Sequence, residues 1–175
     1  MGCDIHLYVE VRDRETYKWE PIAVQNPYQE YVDLKTGEKH HPDIYPYHGR
    51  DYELFGILAG VRCDIYDRMT DFNRGLPVDA SDYVRKEWGH GKDYFHSATW
   101  YTLSELRAYG ANKKNFHSVN YKNLDFADEL DEIKKDDKSM RRRFNSFVDE
   151  IDNFAELFFP GVPEENVRAV MWFDS

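Results

Sequence analysis

Cys3-Asp-Ile-His-Leu-Tyr-Val-Glu-Val11 is the stretch that decides the fold. Cys3, Ile5, Leu7, Val9 and Val11 share one face, and Asp4, His6, Tyr8 and Glu10 share the other. Alternation with period two predicts a half-buried strand. Arg12-Asp-Arg-Glu-Thr16 breaks the pattern, and Tyr17-Lys-Trp-Glu-Pro-Ile22 reads as a returning strand, so the chain opens with a hairpin on a longer-than-minimal loop. At the other end, Asn166 to Phe173 is an apolar run holding Val167, Val170, Met171 and Trp172. It is expected as a strand buried on both faces beside the first.

Between these ends the sequence reads mostly as helix. Asp51 to Gly60 carries an N-cap, an apolar stripe (Leu54, Phe55, Ile57, Leu58) and a glycine stop. A short helix is expected after Pro77, capped by Asp79 or Ser81, running to Trp88 and ended by Gly89-His-Gly91. Thr102-Leu-Ser-Glu105 is a capping box with Tyr101 and Leu106 at the staple positions. From Phe126 apolar residues recur at Leu130, Ile133, Met140, Phe144, Phe147, Ile151, Phe154 and Phe158, with Asp137 filling the one missing step. The period predicts one helix of about thirty residues, about 50 Å long, within 123–158; a helical hairpin broken near Asp136 is the rival. Residues 25–48, with three prolines and three histidines among tyrosines, are expected as a surface excursion around a tight turn at Asp33–Gly37, with room for a short ribbon of its own. The whole of 1–175 is thus expected as a single α+β domain, a small, mainly antiparallel sheet packed against helices.

Composition bounds the function. Aromatics make up 16% of the 175 residues, enough bulk for a packed core. The 33 acids against 23 bases give a formal charge of −10, which argues against non-specific binding to nucleic acid. No apolar run approaches the roughly 18 residues of a membrane span. Met1–His6 has neither a charged nor an apolar signal region, and His6 stands where a myristoylation motif needs Ser or Thr. Cys3 and Cys63 form no paired motif. The expectation is a cytoplasmic, acidic, soluble protein that needs no cofactor.

Three constellations can carry chemistry. Asp4 and His6 point the same way from one strand, with Cα atoms about 7 Å apart, close enough to share a metal or for the acid to orient the imidazole. Glu10 lies about 13 Å beyond His6, too far to join them. The plainer reading is a solvated strand face, or an imidazole satisfied by a neighbouring carboxylate. The segment from Trp88 to Trp100 brings His90, Tyr94, His96, Ser97 and Trp100 into what reads as an aromatic, glycine-containing loop; its plainer reading is histidines that cap backbone groups. Arg50, directly before the Asp51 cap, sets a guanidinium beside free helix amides, as an anion site would, although a bridge to one of the many acids serves equally well. No dinucleotide fingerprint, P-loop, nucleophile elbow or zincin motif is present. The charged stretch from Lys134 to Arg143 reads as the wet side of the long helix, and dimerisation through its apolar stripe stays open.

Met1-Gly-Cys-Asp-Ile-His-Leu7, Trp19-Glu20, Gly49-Arg-Asp-Tyr-Glu-Leu-Phe-Gly-Ile-Leu-Ala-Gly-Val-Arg62, Arg74-Gly-Leu-Pro77, His96-Ser-Ala-Thr-Trp-Tyr-Thr-Leu-Ser-Glu-Leu106 and Trp172-Phe-Asp174, in that order, resemble a family of small uncharacterised proteins encoded by bacteriophages and prophages. The resemblance implies a phage setting inside a bacterial cell and no specific chemistry. Relatives carry a second histidine where Ala98 stands here, which weakens a two-histidine metal site at that point. The leading expectation is a pocket for a small anionic, nucleotide-like ligand, walled by Asp4, His6, Arg50, His90, Tyr94, His96, Ser97 and Trp100. One alternative is a phosphoester hydrolase holding a divalent metal ion on Asp4, His6 and His96. The other is a host-protein interaction through 25–48.

Overall fold

The computed structural model of the chain describes residues 2–64, 66–91, 93–118 and 135–174. Its centre is a four-stranded antiparallel sheet made of β1 (Ile5–Arg12), β2 (Trp19–Pro21), β5 (His96–Thr102) and β8 (Val167–Phe173), in the order β2-β1-β8-β5. β1 and β8 run side by side with Leu7 opposite Met171, Tyr8 opposite Val170 and Glu10 opposite Arg168. That register fixes the two faces. Leu7, Val9, Val11, Ala169, Met171 and Phe173 join the larger core, under α1 (Tyr52–Ala59), α3 (Leu103–Ala111) and α4 (Lys138–Phe158). Tyr8, Val170 and Trp172 join a smaller core with Ala98 and with Val84 of α2 (Asp82–His90). All seven residues of β8 are buried, as expected of a strand covered on both sides.

The helix ends follow the local chemistry. Asp51 Oδ1 accepts from the Leu54 amide at 3.1 Å, and Gly60 closes α1 at φ 66°. Ser81, not Asp79, caps α2, which runs on to His90. Thr102 and Glu105 form the reciprocal box at the start of α3, with Tyr101 and Leu106 fully buried.

Two expectations are corrected. The segment before Trp100 is not a loop: His96–Thr102 is the edge strand β5. Its alternation is hidden by an irregularity between His96 and Thr99, where Ser97 sits at φ 54°. Its outer carbonyls are covered, Ala98 by the Gly75 amide at 2.9 Å and Trp100 by Arg74 Nη1 at 3.1 Å. The long helix is also not continuous. Lys135–Asp136 (β7) pairs with His117–Ser118 (β6), and Asp137 then caps α4, accepting from the Ser139 and Met140 amides at 2.9 Å each. An interruption at Asp136 and Asp137 replaces the single helix; the part of the stripe before it lies outside the described residues. Within α4, Met140, Phe144, Phe147 and Ile151 are buried in the predicted phase.

Residues 25–48 do carry their own ribbon, β3 (Tyr31–Val32) with β4 (Lys39–His40). Its tip is open, with Tyr28 and Leu34 exposed, while Tyr45 packs edge-on against Tyr8. Among the described residues no helix is long and apolar enough to cross a membrane.

Candidate functional site

The start of β1 meets the end of β8 at one corner of the sheet. Antiparallel pairing brings Asp174 beside Asp4: the Asp174 amide donates to the Asp4 carbonyl at 3.2 Å, and the Asp4 amide donates to Asp174 Oδ1 at 3.0 Å. The other oxygen of Asp174 lies 3.2 Å from His6 Nε2. Asp4 in turn holds Arg50 in a two-point grip, through Nε and, at 2.6 Å, through Nη2. Gly2 lies beside the guanidinium: a Cβ there would stand 2.8 Å from Arg50 Nη1, a contact that the flexible arginine can yield to.

The hydrogen bonds from Arg50 hold the Asp4 carboxyl below its usual range, and the same bonds raise the guanidinium. His6 leans on an aromatic wall, its ring 4.6 Å from Phe95 and 6.1 Å from Trp172. Trp88 supports both, at 5.9 Å from Phe95 and 5.5 Å from Trp172. The corner is open rather than enclosed: the side chains of His6 and Arg50 are 31% and 57% exposed.

The structure gathers Asp4, His6 and Arg50 and leaves the other predicted residues apart from them. His96 lies opposite Phe173, stacks on its ring at 6.3 Å and bonds Ser97 Oγ at 3.0 Å. His6 lies opposite Trp172, the preceding residue of β8, so the two imidazoles sit on opposite faces of the sheet. Trp100 is on β5, two strands from β1, with Arg74 at 4.9 Å and Arg168 at 5.5 Å from its ring. His90 ends α2 facing Glu87 at 3.7 Å, and Tyr94 is 75% exposed beside Phe95. Among the described residues no three His, Cys, Asp or Glu side chains form a group that could hold a metal ion. The set Asp4, His6 and His96 is therefore not assembled: Arg50 occupies both oxygens of Asp4, and His96 points away.

Two acids go unmarked in the sequence patterns. Asp174 follows a strand expected beside the first, and it meets Asp4 only through the antiparallel register that sets Ile5 against Phe173. Glu10 lies too far along the strand to join Asp4 and His6. It is instead fully buried against Arg168, a cation in a strand covered on both sides that had to find a partner. No family model, no curated protein and no solved structure matches the chain.

Proposed function

We propose that this is a phage-encoded protein that binds and withholds a small anionic, nucleotide-like ligand at the corner of Asp4, His6, Arg50 and Asp174. The observation that carries the reading is the meeting of a guanidinium and an imidazole from segments 44 residues apart, each held by its own carboxylate. Asp4 fixes the plane of Arg50 through Nε and Nη2 and leaves Nη1 for a phosphate oxygen. His6 supplies a second polar contact, and Phe95, 4.6 Å from the His6 ring, offers an aromatic surface for a base. The phage setting rests on the family resemblance of the N-terminus and of the Gly49–Arg62 and His96–Leu106 stretches.

Thermal unfolding in the presence of AMP, cyclic AMP or inorganic phosphate tests this. A ligand at one hundred times its Kd adds about 2.7 kcal/mol, so the midpoint rises by several degrees. Arg50→Ala and His6→Ala should each abolish the rise, measured from each variant's own unliganded midpoint. No rise with any of the three probes refutes the proposal.

The ribbon favours a second reading, contact with a host protein. Tyr28 and Leu34 are 95% and 99% exposed, and Tyr31 and Val32 are also open. Replacing residues 27–41 with a short glycine-serine link removes this reading if function in the infected cell is unchanged.

A further inference from the structure

The loop between β1 and β2 and the turn between β3 and β4 are built alike. Asp13-Arg-Glu-Thr-Tyr-Lys18 and Asp33-Leu-Lys-Thr-Gly-Glu38 share their first and fourth residues. In each, the aspartate Oδ1 accepts the amides two and three residues on: Glu15 at 3.1 Å and Thr16 at 2.6 Å, Lys35 at 2.7 Å and Thr36 at 3.0 Å. In each, the fifth amide closes on the aspartate carbonyl, Tyr17 at 3.0 Å and Gly37 at 2.8 Å. The fifth residue is left-handed in both, at φ 58° for Tyr17 and 73° for Gly37.

Glycine adopts that conformation freely, and a bulky L-residue does not. The protein thus holds a strained tyrosine where its own second copy of the turn uses glycine. Burial does not reward the strain, because Tyr17 is 67% exposed. Backbone strain of this kind gathers at functional positions.

Tyr17 borders a cleft of about 590 Å³ between β2 and the start of α2, with Trp19, Pro21 and Tyr83 also on its walls. Trp19 is fixed before any ligand arrives. Its indole N–H donates to Asp79 Oδ2 at 3.1 Å, and the guanidinium of Arg168 lies 4.0 Å from its ring centre. A preset platform of this size suits a small molecule. An added peptide strand does not suit it, because β2 is three residues long and ends at Pro21, which has no N–H to offer.

Charge sets the ligand class. The cations at and under the cleft are Lys18, Arg85, Arg168 and, 5.5 Å from the Tyr17 ring, Arg12. The carboxylates are Glu20, Asp79, Asp82 and, beneath them, Glu10. Four oppose four, so the cleft favours neither sign while offering donors and acceptors together. Hydroxyl groups both donate and accept. Arg12 and Arg168 already lie over the Trp19 ring at 6.0 and 4.0 Å, so it is the exposed ring of Tyr17, approached by Arg12 at 5.5 Å, that offers an electron-rich face to a C–H-bearing surface. We propose that this cleft is a second site, distinct from the Arg50 corner, that takes a neutral polyhydroxylated ring, a saccharide.

The test presents the full chain to an array of neutral oligosaccharides built on glucose, galactose and N-acetylglucosamine, followed by calorimetric titration of the strongest hit. Binding tighter than about 1 mM is expected. Tyr17→Gly should weaken it by about tenfold or more, with a melting temperature held or raised by about 2–4 °C as the strain is relieved. Glu20→Gln, an exposed change, should weaken it without moving the midpoint, and Arg50→Ala should leave it intact. The absence of any neutral saccharide hit, selection of charged glycans alone, unchanged affinity in Tyr17→Gly, or a lowered midpoint in that variant would each overturn the proposal.

Discussion

Glu10 and Arg168 face each other across β1 and β8 with almost no solvent contact, the guanidinium donating to Glu10 Oε2 at 2.7 Å. Every strong demand of the pair is met. The Ser81 amide donates to Glu10 Oε1 at 2.8 Å, and Arg168 reaches Asp79 Oδ1 at 2.7 Å and the Asp79 carbonyl at 3.2 Å. The pair therefore ties the start of α2 to the middle of the sheet.

Removing one partner strands the other in a dry site. Glu10→Gln should cost about 3–5 kcal/mol of unfolding free energy in urea titration. Replacing both at once, Glu10→Leu with Arg168→Met, should recover part of that loss, because two apolar side chains need no hydration, while the Ser81 amide and the Asp79 carbonyl lose the bonds they make to the pair. A single variant as stable as the parent would show that water reaches the pair.

The box at α3 makes a smaller and pH-dependent contribution. Thr102 Oγ1 accepts the Glu105 amide at 3.3 Å, and Glu105 Oε2 accepts the Thr102 amide at 2.8 Å. Thr102→Ala should cost about 1 kcal/mol. Burial pushes the Glu105 carboxyl up, but Arg74, bonded at 3.1 and 2.8 Å, and the Thr102 groups outweigh it, so the net shift is downward. A lowered carboxyl stabilises the fold above the unfolded value of 4.5 and loses that contribution as pH falls through the folded value. Arg74→Met should flatten the stability profile in that acid window, as read by thermal unfolding at stepped pH.

How far the sequence could be read depended on range. The β1 alternation, the Asp51 and Thr102 caps and the α4 phase are local patterns, set by residues within a turn or a pleat of one another, and each reappears in the structure. But β1 is not the half-buried strand its alternation predicts: Tyr8 and Glu10 on its polar face are buried as well, under the smaller core and the start of α2. β5 was hidden because Ser97 adds a residue out of step, which erases period two over a seven-residue strand. The start of α4 stayed undecided between one long helix and a break near Asp136, because Lys135 and Asp136 fit a helical stripe as well as a strand, and only pairing with His117–Ser118 decides between them. At the corner site, Asp4 and His6 were legible from spacing on one strand. Their partners Arg50 and Asp174 lie 46 and 168 residues away, where only the sheet register and the approach of the α1 segment bring them in.

Two helical glycines should respond oppositely to alanine. In α1, a Cβ on Gly56 would stand 2.3 Å from the Cys63 carbonyl oxygen, and backbone cannot step aside cheaply. Gly56→Ala should lose about 1–3 kcal/mol through overpacking. In α2, a Cβ on Gly89 meets nothing within 4 Å. Gly89→Ala should gain about 0.5–1 kcal/mol from backbone entropy alone. Chemical denaturation of the two variants beside the parent separates close approach from conformational freedom.

Asp43 works against stability at neutral pH. Burial raises its carboxyl first, and the nearby Glu87 raises it further, while the Tyr83 hydroxyl donates to its Oδ2. Below the unfolded value of 3.8 the acid is protonated in both states and adds nothing to the pH dependence. As pH rises toward the higher folded value, the unfolded chain gives up its proton first, and folding must take one back or leave a charge half-buried. Stability therefore declines through that window and stays lower above it. Asp43→Asn keeps an oxygen for Tyr83 and cannot ionise, so it should match the parent near pH 3 and exceed it at pH 7. Asp43→Ala also cannot ionise but leaves Tyr83 without its acceptor, at a cost of about 1 kcal/mol. If Asn and Ala behave alike across the range, the hydrogen bond rather than the buried charge carries no weight; if Asn is less stable than the parent at pH 7, the carboxylate is welcome there and the sign of its shift is reversed.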